Sequence, residues 1–79
     1  MNGAEFLKSK GITQADVARE LKCERNNVSI WFCGSHSPRV GTLVRLTNAL
    51  NKLGAETDYN EVYRVITQSR KEYLKKKGG

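Results

Sequence analysis

This sequence predicts an all-α fold, a compact bundle of four to five helices, and three observations carry that expectation. Apolar residues recur at three- and four-residue spacing along the chain, and no strand-like alternation persists. Polar cap residues stand just ahead of the apolar segments and glycines just behind them, which is the asymmetry of helix ends. The single proline, Pro38, falls between segments rather than inside one. At 79 residues the chain has room for one small core. Such a core supplies only roughly 3–5 kcal/mol, so partners or dimerisation matter to stability.

The first helix is expected from about Gly3 to Lys10, capped by Asn2 with Glu5 three residues on, anchored by Phe6 and Leu7, and ended by Gly11. The second has the clearest start signal, ITQADV. Thr13 is its N-cap, Asp16 completes a capping box, and Ile12 and Val17 flank the cap as a hydrophobic staple. It continues through Ala18, small enough for another helix to approach closely, to Leu21. Lys22, Cys23 and Glu24 form a short break. The third helix spans about Arg25 to Cys33, where Val28, Trp31 and Phe32 fall on one face, with Arg25, Asn26, Ser29 and Ile30 off it. Gly34 ends it, and SHSP is a loop. The fourth covers about Val40 to Lys52 on a stripe of Leu43, Leu46, Leu50 and Leu53, and Gly54 stops it. The fifth begins near TDYNE, with Asp58 and Glu61 as a cap-like pair, and carries Tyr59, Val62, Tyr63, Ile66 and Tyr73 to about Lys75. The last residues, KKKGG, are expected to fray. Two regions follow: residues 1–54, and residues 55–79 as a C-terminal helix with a basic tail whose stripe either packs on the core or forms a homodimer interface.

Composition narrows the function. Fourteen Lys and Arg against eight acids give a net charge of +6, and such a potential attracts polyanions. No apolar run reaches membrane-span length, and MNGAEFLKSKG has no apolar signal core, so no membrane role is expected and a cytoplasmic location is. Cys23 and Cys33, with one histidine, do not make a conventional four-ligand zinc site, and both are expected as buried free thiols. His36 alone, in a loop, builds no Ser/His/Asp or Cys/His/acid set, so neither an enzyme nor a cofactor, metal or small-molecule substrate is expected.

Two short helices joined by a three-residue break make a helix-turn-helix, whose second helix needs polar residues at its start and an apolar back to enter a major groove. Residues 11–38, GITQADVARELKCERNNVSIWFCGSHSP, resemble the helix-turn-helix of the Cro and phage-repressor family. The matching elements are Gly11-Ile12-Thr13-Gln14, Val17-Ala18, Val28-Ser29, and Gly34 followed by Pro38, with the apolar fourth helix after them. The resemblance covers roughly residues 3–53. It implies a lambda-repressor-like bundle and a transcriptional regulator of bacterial or phage type, a repressor that binds double-stranded DNA as a homodimer. Gln14 matches the glutamine that touches backbone phosphate. Arg25, Asn26 and Ile30 match base-facing positions, with Ser29 beside them, and Asn27 matches a position near phosphate or base. Ser35, His36 and Arg39 match the loop that skirts phosphates.

Three positions depart from the family's pattern. Lys22 stands where a glycine is common, so the turn requires a positive φ of a lysine. Leu7 and Phe32 stand where many members have a buried Arg–Glu pair, an apolar contact in place of an ionic one. Glu24 is unfavourable beside phosphate and is expected instead to cap the third helix or hold Arg25. CERNNVSIWFCG also looks locally like the third helix of homeodomains, but too few residues precede it, and Gly34 and Pro38 end it where that family continues as a basic run. A reading of another class keeps the same fold as a protein-interaction module, such as an antitoxin or phage anti-regulator, with residues 55–79 contacting the partner.

Overall fold

The helices begin where their caps stand. The computed structural model describes residues 1–78, with side chains described through Lys76. It contains α1 (Gly3–Lys10), α2 (Gln14–Leu21), α3 (Arg25–Cys33), α4 (Val40–Lys52) and α5 (Tyr59–Gly78), and no strand among those residues. Asn2 and Glu5 form a complete capping box, as do Thr13 and Asp16. At α5 the box is half made. The Asp58 side chain accepts from the Glu61 N–H at 2.8 Å, while the Glu61 carboxylate takes the hydroxyl of Thr57.

Three helices end in the same way. Gly11, Lys22 and Gly54 all have positive φ, and the following N–H reaches back to close the turn: Ile12 to Leu7 O at 3.0 Å, Cys23 to Ala18 O at 3.0 Å, Ala55 to Leu50 O at 2.9 Å. These are Schellman closures, which satisfy carbonyls that a helix end leaves without partners. Lys22 does adopt the left-handed conformation, at φ 56°.

The core draws on every helix: Phe6 and Leu7 from α1, Val17 and Ala18 from α2, Val28 and Phe32 from α3, Leu43, Leu46 and Leu50 from α4, and Val62, Val65 and Ile66 from α5. α5 therefore packs back onto the bundle, from Val62 as far as Glu72, against α1, α3 and α4. Tyr63 and Leu74 lie on its outer side, half exposed. No helix among the described residues is long and apolar enough to cross a membrane.

Four expectations need correction. Trp31 does not join Val28 and Phe32 inside; it sits partly buried at the rim of the core, because it lies at the edge of the narrow face that α3 presents. Cys33 is exposed, its thiol directed at Ile30 O (3.7 Å) and Ser35 Oγ (3.5 Å), since the last residue of α3 falls off the buried face; Cys23 is half-buried and both thiols are free. Glu24 occupies the N-cap position of α3 but makes no side-chain cap bond, and Arg25 is not among the ion pairs of the described residues. α5 runs on to Gly78 rather than stopping near Lys75, because lysine is a good helix former; Gly79 and the Lys77 side chain, part of the expected frayed end, lie outside the description.

Candidate nucleic-acid interface

The site is built by the way α2 and α3 meet. Ala18, 4% exposed, lets the two helices approach, and Val17 and Val28, both fully buried, fill the seam. The left-handed Lys22 turns the chain sharply enough for only three residues to separate α2 from α3. α4 braces this corner from behind. Arg45 Nη2 donates to the Leu21 carbonyl at 3.3 Å, and Lys52 pairs with Glu20 at 3.7 Å.

α3 is divided lengthwise. Val28 and Phe32 are buried, whereas Arg25, Asn26 and Asn27, its whole first turn, are exposed. Ser29 and Ile30 are half-buried at the boundary, so each offers only part of its side chain. Gln14 opens α2 and is half-buried next to Thr13, whose capping box with Asp16 holds that helix end in place. The Asp16 carboxyl is held below its ordinary range, chiefly by the Thr13 N–H and then by the Thr13 hydroxyl, with Arg19 adding a smaller attraction.

The loop after α3 is tightly tied. The Ser35 hydroxyl donates to Ile30 O at 3.3 Å, and the His36 N–H reaches the same carbonyl at 3.2 Å. His36 Nδ1 lies 3.3 Å from Ser35 Oγ. A serine has one hydroxyl proton, so in this arrangement Ser35 has none left to donate to a phosphate. His36 and Arg39 are exposed, and Arg39 is the N-cap residue of α4. Among the described residues, ion pairs join Arg19 to Asp16 and Lys52 to Glu20, which leaves Arg25 and Arg39 without an acidic partner.

Of the residues singled out from sequence, then, Arg25, Asn26, Asn27, His36 and Arg39 are openly exposed; Gln14, Ser29, Ile30 and Ser35 are partly covered. Sequence reasoning missed Arg70, whose Nη1 donates to the carbonyls of Gly34 and Ser35. It also missed Arg45 at the α2 end. Neither contact has a local signal, since the partners lie 24 to 36 residues apart. No three His, Cys, Asp or Glu side chains among the described residues are grouped to hold a metal ion. Comparison with protein-family models gives no match, and comparisons with curated proteins and with solved structures give no significant match either.

Proposed function

We propose that this chain is a sequence-specific DNA-binding transcriptional regulator, a repressor of bacterial or phage type, that reads the major groove with α3. On this reading α2, the Lys22 turn and α3 form a helix-turn-helix of the phage-repressor kind, and the protein acts by occupying operator DNA, with no chemistry. The observation that carries it is the division of α3: an exposed polar first turn, Arg25-Asn26-Asn27, on a helix whose other side is locked into the core by Val28 and Phe32. A groove about 12 Å wide admits such a helix, and Arg and Asn are the side chains that take guanine and adenine bidentately. Ile30 offers an apolar edge to a thymine methyl. Gln14 stands at a helix N-terminus, where exposed N–H groups and the dipole favour an anion. The net charge of +6 supports phosphate contact as well.

Two copies on a palindrome, with half-sites about 34 Å apart, fit this mode of reading. Selection of bound sequences from random DNA tests the proposal. Enrichment of a site with two related half-sites supports it, and no enrichment at all sinks it. A role as an antitoxin or anti-regulator through residues 55–79 is less well supported, because Val62, Val65, Ile66 and Ser69 of α5 are buried in the protein's own core.

A further inference from the structure

Arg70 of α5 reaches across to the end of α3. Its Nη1 donates to the Gly34 carbonyl at 2.9 Å and to the Ser35 carbonyl at 2.6 Å. These carbonyls lie just past the C-terminus of α3, where a helix concentrates partial negative charge, so a guanidinium there makes charge-assisted bonds and a favourable dipole contact together. α3 has no basic residue in its own last turn. Arg70 supplies from another helix the cation that the local sequence lacks.

The backbones meet at the same point. Gly34 has φ 92°, and its Cα lies so close to the Ser69 carbonyl that any Cβ would overlap it. Ser69 in turn accepts the Gly3 N–H on its hydroxyl at 2.6 Å. α5 thus grips the end of α3 through main chain, and Arg70 extends that grip one residue into the loop. On the other side, the Ser35 hydroxyl and the His36 N–H are tied to Ile30 O. Ser35 and His36 are suspended between two anchors, one on α3 and one on α5.

We propose that Arg70 is a positioning residue for DNA binding: it holds the 34–39 loop where His36 and Arg39 meet the phosphate backbone, while not contacting DNA itself. The proposal rests on the DNA-binding reading above. It makes α5 part of the binding apparatus, through the loop it holds in place.

The test compares Arg70→Met and Arg70→Lys with Arg64→Met, which removes the same charge from an exposed position of α5. Hydrogen exchange is followed at the His36 amide, and affinity is measured on the site the parent protein selects. In Arg70→Met, His36 exchange is expected to rise about tenfold or more while Val28 and Phe32 keep parental rates, because the loop opens locally without the core. Affinity should fall about tenfold, the order set by losing one charge-assisted hydrogen-bond set, with base preference retained. Arg70→Lys should recover most of both, since an ammonium group carries three donors for the two carbonyls. Arg64→Met should weaken binding less than about threefold, as expected for one distant screened charge. If Arg70→Met does not fold, Arg70→Gln, whose amide still donates one bond, takes its place with the same readouts. Parental His36 exchange overturns the proposal, as does an affinity loss no larger than that of Arg64→Met, or a lysine that restores neither. If the parent protein selects no DNA sequence, the DNA-binding reading fails and this inference with it; a parent that binds while Arg70→Met binds equally well overturns the inference alone.

Discussion

The Cα of Gly3 lies directly against the carbonyl and ring of Phe32, so that a Cβ at residue 3 would overlap both. The same residue donates its N–H to Ser69. The start of α1 is thereby in main-chain contact with α3 and α5 at once, and Gly3→Ala must either displace Phe32, 1% exposed, or lift α1 from the bundle. Overpacking of this kind costs about 1–3 kcal/mol. Urea unfolding is expected to show a lower midpoint with an unchanged slope. Gly41→Ala is the contrasting case: it lies in α4 with nothing within 4 Å of an added Cβ, and it should stabilise the protein by about 0.5–1 kcal/mol. Equal stability of the two alanine variants would show that α1 docks more loosely than the contact implies.

Lys22 carries the turn at φ 56°, a conformation that suits glycine. A β-branched residue there is a steric outlier, whereas glycine removes strain of roughly 1–2 kcal/mol and gives back about 0.4–1 kcal/mol through the freer unfolded chain. Lys22→Gly is therefore expected to leave stability the same or raise it by up to about 1 kcal/mol. Lys22→Val should lower it by about 1–3 kcal/mol as a forced αL residue. Thermal unfolding of the pair checks this, and a valine variant as stable as the glycine one would mean that the turn has another conformation in solution.

The ends of the helices were legible in the sequence because they are decided locally. Asn2 with Glu5, Thr13 with Asp16, and the glycines at 11 and 54 act over three to five residues, and all do so in the structure, while Gly34 takes the left-handed conformation at the end of α3. The split of α3 was legible too, through the spacing of Val28 and Phe32. What was not legible is how the helices dock. The α5 stripe reads the same whether it packs on its own core or on another copy, because periodicity shows that a face is apolar and not what covers it. The contacts that place α5 are Ser69 with Gly3, Glu72 with Asn2 and Arg70 with Gly34, and their partners lie 36 to 70 residues apart. Trp31 misled for a related reason: its spacing puts it on the apolar face, but the width of that face depends on where α1 and α5 sit. At the candidate site, Arg25, Asn26 and Asn27 were found as exposed residues, while the internal use of the Ser35 hydroxyl depends on the fold of a loop with no repeating pattern.

Glu72 joins the two ends of the chain. It accepts from Asn2 Nδ2 at 2.8 Å and from Gln68 Nε2 at 2.9 Å. The Asn2 bond first, and the Gln68 bond next, hold its carboxyl below the ordinary glutamate range. The folded pKa is thus the lower one, so the stabilisation is present above the unfolded value and is lost as pH falls through the folded value. As pH falls through that lowered value, the Asn2 side-chain amide should shift and its protection fall. Asp16 is lowered as well, so the readout is the Asn2 amide itself rather than overall stability. Glu72→Gln should abolish this transition; an Asn2 amide that titrates unchanged in that variant would rule out Glu72 as the cause.

Base reading and phosphate anchoring predict different signatures for Arg25 and Gln14. Arg25 is exposed in the first turn of α3 with no acidic partner among the described residues, so its fork is available to a guanine edge. Arg25→Ala should cost about 1–3 kcal/mol on the selected operator and should relax preference at one base pair, because a lost bidentate contact removes discrimination there and nowhere else. Gln14 sits at the N-terminus of α2, and on the DNA-binding reading it would meet phosphate, a contact that carries no sequence information. Gln14→Ala should weaken operator and unrelated DNA by a similar factor, leaving the preference intact. Binding measured on the operator, on its single-base variants and on random DNA separates the two patterns. If both variants bind all of these like the parent, α3 does not face the groove through its first turn, and the interface lies on another side of the molecule.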